Sequence, residues 1–215
     1  LLLDRGANIE EQSLEEQATP LHIAVSQGEI KILKLLLDRG AKVNARMRDN
    51  KTPLHEADES DVADLLITYG ADIEAESQHG TPLHIAAYEG RTEVLKLLLQ
   101  KGANLHARNN MNRTPLHEAA GRGNYSEAEL LVWFGADVEA TSDVGTPADY
   151  ARLNGHVNFS KWLTQIAEVN KDSSENKHAH TSHFTINNED YKNKLKKVLE
   201  ELLRPSVSTV TLLIY

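Results

Sequence analysis

The 215-residue chain has no cysteine, so disulfides, thiolate catalysis and zinc sites built on Cys are excluded. That absence fits an intracellular, cytoplasmic setting and leaves secretion into a host cell open. Aromatic residues make up only 5% of the sequence. A core with so few rings has to be built from Leu, Ala, Ile and Val, which suits thin helical layers better than a deep globular interior. No apolar run reaches the roughly 18 residues that a membrane span needs. The first residue is Leu, not Met, and no signal-like segment follows it. Positive charge is in deficit too. The formal net charge is −9, whereas a protein that binds a phosphate backbone presents a clustered basic face, so nucleic acid is not an expected partner. Gly-rich phosphate loops and a Gly-x-Ser-x-Gly nucleophile turn are missing, and the many carboxylates form no recognisable acid–base pair. These gaps predict a protein that is not an enzyme and carries no cofactor or metal.

What the chain does have is a beat. Thr-Pro-Leu-His begins at Thr19, Thr52, Thr81 and Thr114, and a variant, Thr-Pro-Ala-Asp, begins at Thr146. The offsets are 33, 29, 33 and 32 residues. Gly-Ala keeps the same time at Gly6, Gly40, Gly70, Gly102 and Gly135, each after a Leu-rich run. Two independent markers in phase over most of the chain define a repeat array.

Each marker has a local cause. Thr caps the orphan N–H groups of a helix, and Pro at the first helical position has its φ preset. In the unit that begins at Thr81, a first helix carries Leu83, Ala86 and Ala87, and Gly90 lets the chain reverse. A second helix follows, with Val94, Leu95, Leu97, Leu98 and Leu99 giving a wide apolar face. Gly102 stops it in a position suited to left-handed backbone. The polar stretch from Ala103 to Arg113 is too short for a third helix and reads as an extended finger with a turn.

The Thr-Pro-Leu-His-x-Ala pattern and the 33-residue length resemble the ankyrin repeat family over roughly residues 1–168. The resemblance implies an all-α repeat solenoid of stacked helix-turn-helix units with hairpin fingers, acting in protein recognition on the concave face made by fingers and first helices. Residues 1–14 read as the tail of a truncated preceding repeat. The array then occupies 15–168, with repeats at about 15–48, 49–77, 78–110, 111–142 and 143–168. A single repeat cannot bury its own apolar face, so neighbours supply the stability.

The pattern falters in three places. The repeat at 49–77 is three residues short, and the loss falls after Ala57, so its first helix or the following turn has to be tightened. Asp58, Glu59, Asp61 and Asp64 make this spot acidic and less stable. In the fourth unit, Glu127 stands where other units have Ile32 or Val94, and Trp133-Phe134 stands where they have Asp38-Arg39 or Gln100-Lys101. The two rings either pack against following segments or form a secondary partner patch. The last unit, with Ala148-Asp149 in place of Leu-His, reads as a terminal cap.

After the array, 169–188 reads as a polar linker. Residues 190–203 place Leu195, Val198, Leu199 and Leu202 at amphipathic-helix spacing, with Pro205 ending the helix. Residues 206–215 are apolar and β-branched, equally consistent with a strand, a docked tail or the start of a further domain.

Ten histidines invite a metal hypothesis. His22, His55, His84 and His117 occupy one repeat position, however. Helices stacked about 8–10 Å apart cannot bring them to one ion with ~2 Å bonds, so a bond to the capping Thr and a neighbouring backbone group is the expectation. His178, His180 and His183 are read as an incidental linker cluster. On the family pattern, a partner protein would be met by Arg48, Asp49, Lys51 and His79, by Met111 and Arg113, and, on first helices, by Gln27, Tyr88, Glu89 and Arg122. Tyr88, Met111 and Arg113 lead because aromatic, Met and Arg side chains are enriched in interface cores. The alternative function is an adaptor, or a secreted host-directed effector, whose C-terminal helix recruits cellular machinery while the repeats select a target. A third reading folds the tail back on Trp133, Phe134 and Trp162. The array is expected to be monomeric.

Overall fold

Every Thr-Pro signal in the chain starts a helix or a helical turn. The computed structural model of the chain describes residues 6–175. The described helices, in order, are α1 (Pro20–Ser26), α2 (Ile30–Asp38), α3 (Ser60–Thr68), α4 (Pro82–Glu89), α5 (Thr92–Gln100), α6 (Pro115–Arg122), α7 (Tyr125–Trp133), α8 (Pro147–Leu153) and α9 (Val157–Glu175). A 3-10 turn, Pro53–Glu56, stands where the second unit should have its first helix. Among the described residues the only β pairing is two isolated bridges, Ser77 with Gly80 and Ser142 with Gly145, at the tips of two fingers.

Apart from α9, these helices have seven to nine residues. Isolated helices below ~12–15 residues are marginal in water, so burial between units has to supply what propensity does not. First helices α4, α6 and α8 pack side by side, and second helices α3, α5 and α7 form the layer behind them. Leu33, Leu66, Leu95, Leu98, Leu131 and Leu163 are fully buried in that rear layer. Each stabilises the stack by about 1.5–3 kcal/mol against exposure. Small residues let the front layer close up: Ala86, Ala87, Ala119 and Ala120 are buried. Gly121 is the extreme case, because a Cβ there would lie 2.3 Å from Cε1 of Tyr150 in the next unit.

The short unit keeps its place through its neighbours. Its first helix is reduced to the single turn Pro53–Glu56, and Ala57 is already extended. Arg91, from the next unit, supplies the donors that a helix would have supplied. One terminal nitrogen donates to His55 O at 2.7 Å and to Ala57 O at 3.3 Å. Its Nε lies 2.7 Å from Asp58, and its other terminal nitrogen 2.7 Å from Glu89. Lys101 pairs with Asp64 at 2.7 Å. The acidity expected to weaken this unit is thus partly neutralised by cations of the following repeat.

Arg91 belongs to a repeated device. The residue just after the inter-helix turn reaches back to the end of the preceding first helix. Asn124 Nδ2 donates to Ala87 O and Tyr88 O, both at 2.9 Å. Glu59 and His156 lie against Gly28 and Gly123. Gly90 and Gly123, at φ +73° and +78°, close α4 and α6 in left-handed backbone.

Two compact units divide the chain, Leu1–Thr164 and Gln165–Tyr215. The first is the array. Of the second, the described part is the run of α9 to Glu175. The expected linker at 169–188 therefore begins inside a helix. His178, His180, His183, the amphipathic segment 190–203 and the tail 206–215 lie outside the described residues.

Candidate protein-binding surface

The front of the array consists of first helices and fingers, and its rigidity comes from the histidine ladder. In each of the first four units the backbone N–H of Thr donates to Nδ1 of the His three residues on, at 3.1–3.3 Å. Accepting at Nδ1 places the ring proton on Nε2. That proton is donated across the stack: His55 to Gly80 O at 3.1 Å, His84 to Arg113 O at 3.0 Å and His117 to Gly145 O at 3.1 Å. These three histidines thus cap their own helix or turn and hold the next finger. Burial, the largest cause, lowers the pKa of His55, His84 and His117 to about 4, and lowers that of His22. His22 Nε2 is the exception, buried without an acceptor. In the last unit Asp149 takes over the cap, accepting from Thr146 N at 3.1 Å and Thr146 Oγ1 at 3.0 Å. That Thr146 N–H and Arg152 hold the Asp149 carboxyl below its usual range.

Two arginines that the sequence reading passed over tie fingers together in pairs. Arg46 donates to Asn50 O in its own finger and Glu76 O in the next, both at 2.7 Å. Arg108 repeats this with Asn112 O at 2.8 Å and Thr141 O at 2.7 Å. Both stand six residues before the Thr of Thr-Pro-Leu-His, in the like segments Ala-Arg-Met-Arg-Asp-Asn-Lys and Ala-Arg-Asn-Asn-Met-Asn-Arg. That shared offset is the signal that would have found them.

On this frame the expected contact residues fall into small groups. Arg48 is exposed and 3.9 Å from Glu16, Asp49 sits in left-handed backbone at φ 59°, and His79 lies 4.0 Å from Asp49. Lys51 pairs with Glu56 at 2.8 Å. Met111, half exposed, is presented by Asn109, whose Oδ1 accepts from Met111 N at 3.0 Å and Arg113 N at 3.1 Å. Tyr88 keeps 39% of its surface, and the Arg122 guanidinium stacks on its ring at 4.5 Å. Glu89 is exposed but engaged by Arg91, and Gln27 is exposed at the end of α1.

Arg113 stands differently from its neighbours. Its side chain is only 16% exposed. The guanidinium lies 4.2 Å above the Tyr150 ring and 3.7 Å from Glu118, whose carboxyl is pushed up by burial against the lowering effect of Asn109 and Arg113. Arg113 therefore braces the face from within the stack.

Trp133 and Phe134 lie away from this front, at the end of α7. They pack edge-on to each other at 5.0 Å, with Trp133 still 37% exposed. The large ring cluster is elsewhere: Tyr125 stacks on buried Phe159 at 4.0 Å, and Trp162 tilts against Phe159 at 5.5 Å. Glu127 is buried and accepts from the Thr92 hydroxyl, which explains how a carboxylate replaces an aliphatic residue there. Among the described residues no three His, Asp or Glu side chains converge as a metal site, and no helix is long and apolar enough to cross a membrane.

Helix pairs stacked in register, capped by a shared Thr-x-x-His box and linked finger to finger, define a helical repeat protein. The family comparison agrees. Ankyrin repeats match over residues 1–77, 47–109 and 83–175, and the chain belongs to the ankyrin repeat family. It is 38% identical over 97 residues to human ankyrin repeat and KH domain-containing protein 1, covering 42% of this chain and 4% of that protein. It is 35% identical over 138 residues to human transient receptor potential cation channel subfamily A member 1, covering 45% of this chain and 12% of the channel subunit. It is 40% identical over 94 residues to rabbit (Oryctolagus cuniculus) ankyrin repeat and SOCS box protein 5, covering 42% of this chain and 29% of that protein. The chain thus matches less than a third of the length of each of these relatives. Ankyrin repeats generally serve as protein-interaction modules and are typically non-enzymatic.

Proposed function

We propose that the array binds a partner protein through the face made by its fingers and first helices, with Arg48, Asp49, Lys51, His79, Tyr88, Glu89, Met111 and Arg122 in contact and Arg113 bracing them from beneath. The observation that carries this reading is that Tyr88 stays exposed on a first helix buried from Pro82 to Ala87, and Met111 stays exposed at the tip of a finger that Arg108 ties to the next. Large side chains on a rigid frame lose little entropy on binding, which is the property of interface hot spots. Replacing Tyr88 and Met111 together by Ala should weaken partner binding at least tenfold with the unfolding midpoint unchanged. Unaltered affinity in a titration would remove this face from contention.

The adaptor reading is favoured by the relatives whose names join ankyrin repeats to a second element, a KH domain or a SOCS box. In that reading the repeats select a target and residues 170–215 recruit machinery. Deleting 170–215 should then abolish recruitment and spare target binding. If target binding is lost as well, the two functions are not separable in this way.

A further inference from the structure

Almost every cation on the proposed face is already neutralised. Arg91 has Asp58 and Glu89, Arg113 has Glu118, Lys51 has Glu56, Arg152 has Asp149 at 3.2 Å, and Arg46 and Arg108 are spent on backbone carbonyls. Among the described residues Arg122 has neither a carboxylate nor a carbonyl partner. It is exposed, and its guanidinium lies over the Tyr88 ring, 4.5 Å from the centroid. Stacking on an aromatic face fixes a guanidinium and leaves its N–H edge free for two parallel bonds to a carboxylate.

The surroundings of Arg122 say what else the ligand carries. Tyr88, Gly121 and Leu153 occupy the same place, seven residues after the Thr, in three consecutive units. The outer two are exposed, Leu153 at 64%. The middle one has no side chain, and the Tyr150 ring fills the space where its Cβ would be. Tyr88, Tyr150 and Leu153 thus stand at or over one position of successive first helices, and among the described residues Arg122 is the one first-helix guanidinium with neither a carboxylate nor a carbonyl partner.

We propose that Arg122 is the carboxylate receptor of this face, and that the partner presents an acidic side chain next to an aliphatic one, the first on Arg122 and the second on the apolar positions from Tyr88 to Leu153. This rests on the reading that the front of the array is the binding face. Charge complementarity selects the acidic residue and the exposed Leu153 selects the aliphatic one.

A display library of short linear peptides, selected on the full chain, tests it. The wild-type chain should enrich peptides with Asp or Glu beside Leu, Ile or Val. Arg122→Gln should weaken the best of these by about tenfold in fluorescence anisotropy, the loss of one charge-assisted pair. Arg122→Glu should turn the selected charge basic and leave the aliphatic preference in place. Arg122 is exposed, so both variants should unfold like the wild type. Peptides whose acidic preference survives Arg122→Glu, or that show no acidic preference at all, overturn the proposal. If such binding is nevertheless lost with Tyr88 and Met111, the front face stands and only the role of Arg122 falls. No enrichment by the wild-type chain sinks both.

Discussion

The histidine ladder makes the array acid-labile in a defined window. Each ring must be neutral to work, because Nδ1 accepts from the Thr N–H while Nε2–H donates to the next finger. Protonation of Nδ1 turns that acceptor into a donor facing a donor. The folded pKa of His55, His84 and His117, about 4, lies below the ordinary value of 6.5. Between those values the unfolded chain binds more protons than the folded one, so folding is favoured less as pH falls. The ladder's contribution is complete above 6.5, is lost between 6.5 and about 4, and does not change further below that. At about pH 5.5, one unit under the unfolded value, the cost is about 1.4 kcal/mol per histidine, or about 4 kcal/mol for three. Domains of this size are stable by ~5–15 kcal/mol, so the loss is large enough to read directly. Urea unfolding followed by circular dichroism at about pH 7.5 and about pH 5.5 should give a clear drop in midpoint with the m value held. Exposed carboxylates remain mostly ionised across this interval, and Glu118, whose carboxyl burial pushes up, is controlled by repeating the comparison in Glu118→Gln. His84→Gln should lower stability at the higher pH and shrink the pH effect by about a third. An unchanged midpoint, or ladder ring resonances that titrate near 6.5 in the native protein by NMR, would refute the reasoning.

Three further outcomes follow from single contacts. Arg91→Ala removes the donor to His55 O and Ala57 O and strands Asp58 and Glu89; a loss of about 2–4 kcal/mol is expected in thermal or urea unfolding, with Arg91→Lys recovering only part. Gly121→Ala pushes a methyl into Tyr150 and should cost about 1–3 kcal/mol, partly rescued by Tyr150→Ala in the double variant; additive losses would mean the contact is not the cause. Glu127→Val puts back the aliphatic residue of the other units, and its midpoint should stay within about 1 kcal/mol of wild type or rise, because a buried carboxylate no longer has to be desolvated. A marked fall there would show that the Thr92 bond contributes net stability.

The fold was legible because its signals are local and recur. Thr-Pro starts each unit, glycine ends the second helices, and the Leu spacing marks the rear layer. The bonds of the ladder were legible for the same reason, since histidines at one repeat position meet like surroundings: all four accept from their Thr N–H, and three of them donate to the next finger. What could not be read were contacts between units whose partners share no short pattern. Nothing local says that Arg91 completes the helix missing from the unit before it, or that Tyr150 fills the space over Gly121. Arg113 shows the limit from the other side. Residue type and finger position put it among the best partner contacts, yet its guanidinium lies between Tyr150 and Glu118. Exposure is decided by the neighbouring repeat.

The same dependence explains why the front can be both generic and specific. The fingers alternate: those at Arg46 and Arg108 are longer and send an arginine onto the next, while those closing at Gly80 and Gly145 are tight turns bridged by Ser77 and Ser142. Each long finger is locked to the short one after it, and the ladder then joins one pair to the next through His84 and Arg113 O. Backbone carbonyls accept most of these links, so the frame hardly constrains which side chains the fingertips and the outer turns of the first helices carry. Gln78, His79, Met111, Tyr88, Arg122 and Leu153 are therefore free to vary at little cost to folding. A substitution at Arg122 should change what is bound, and one at Arg46 or His84 should change whether anything is held still enough to bind.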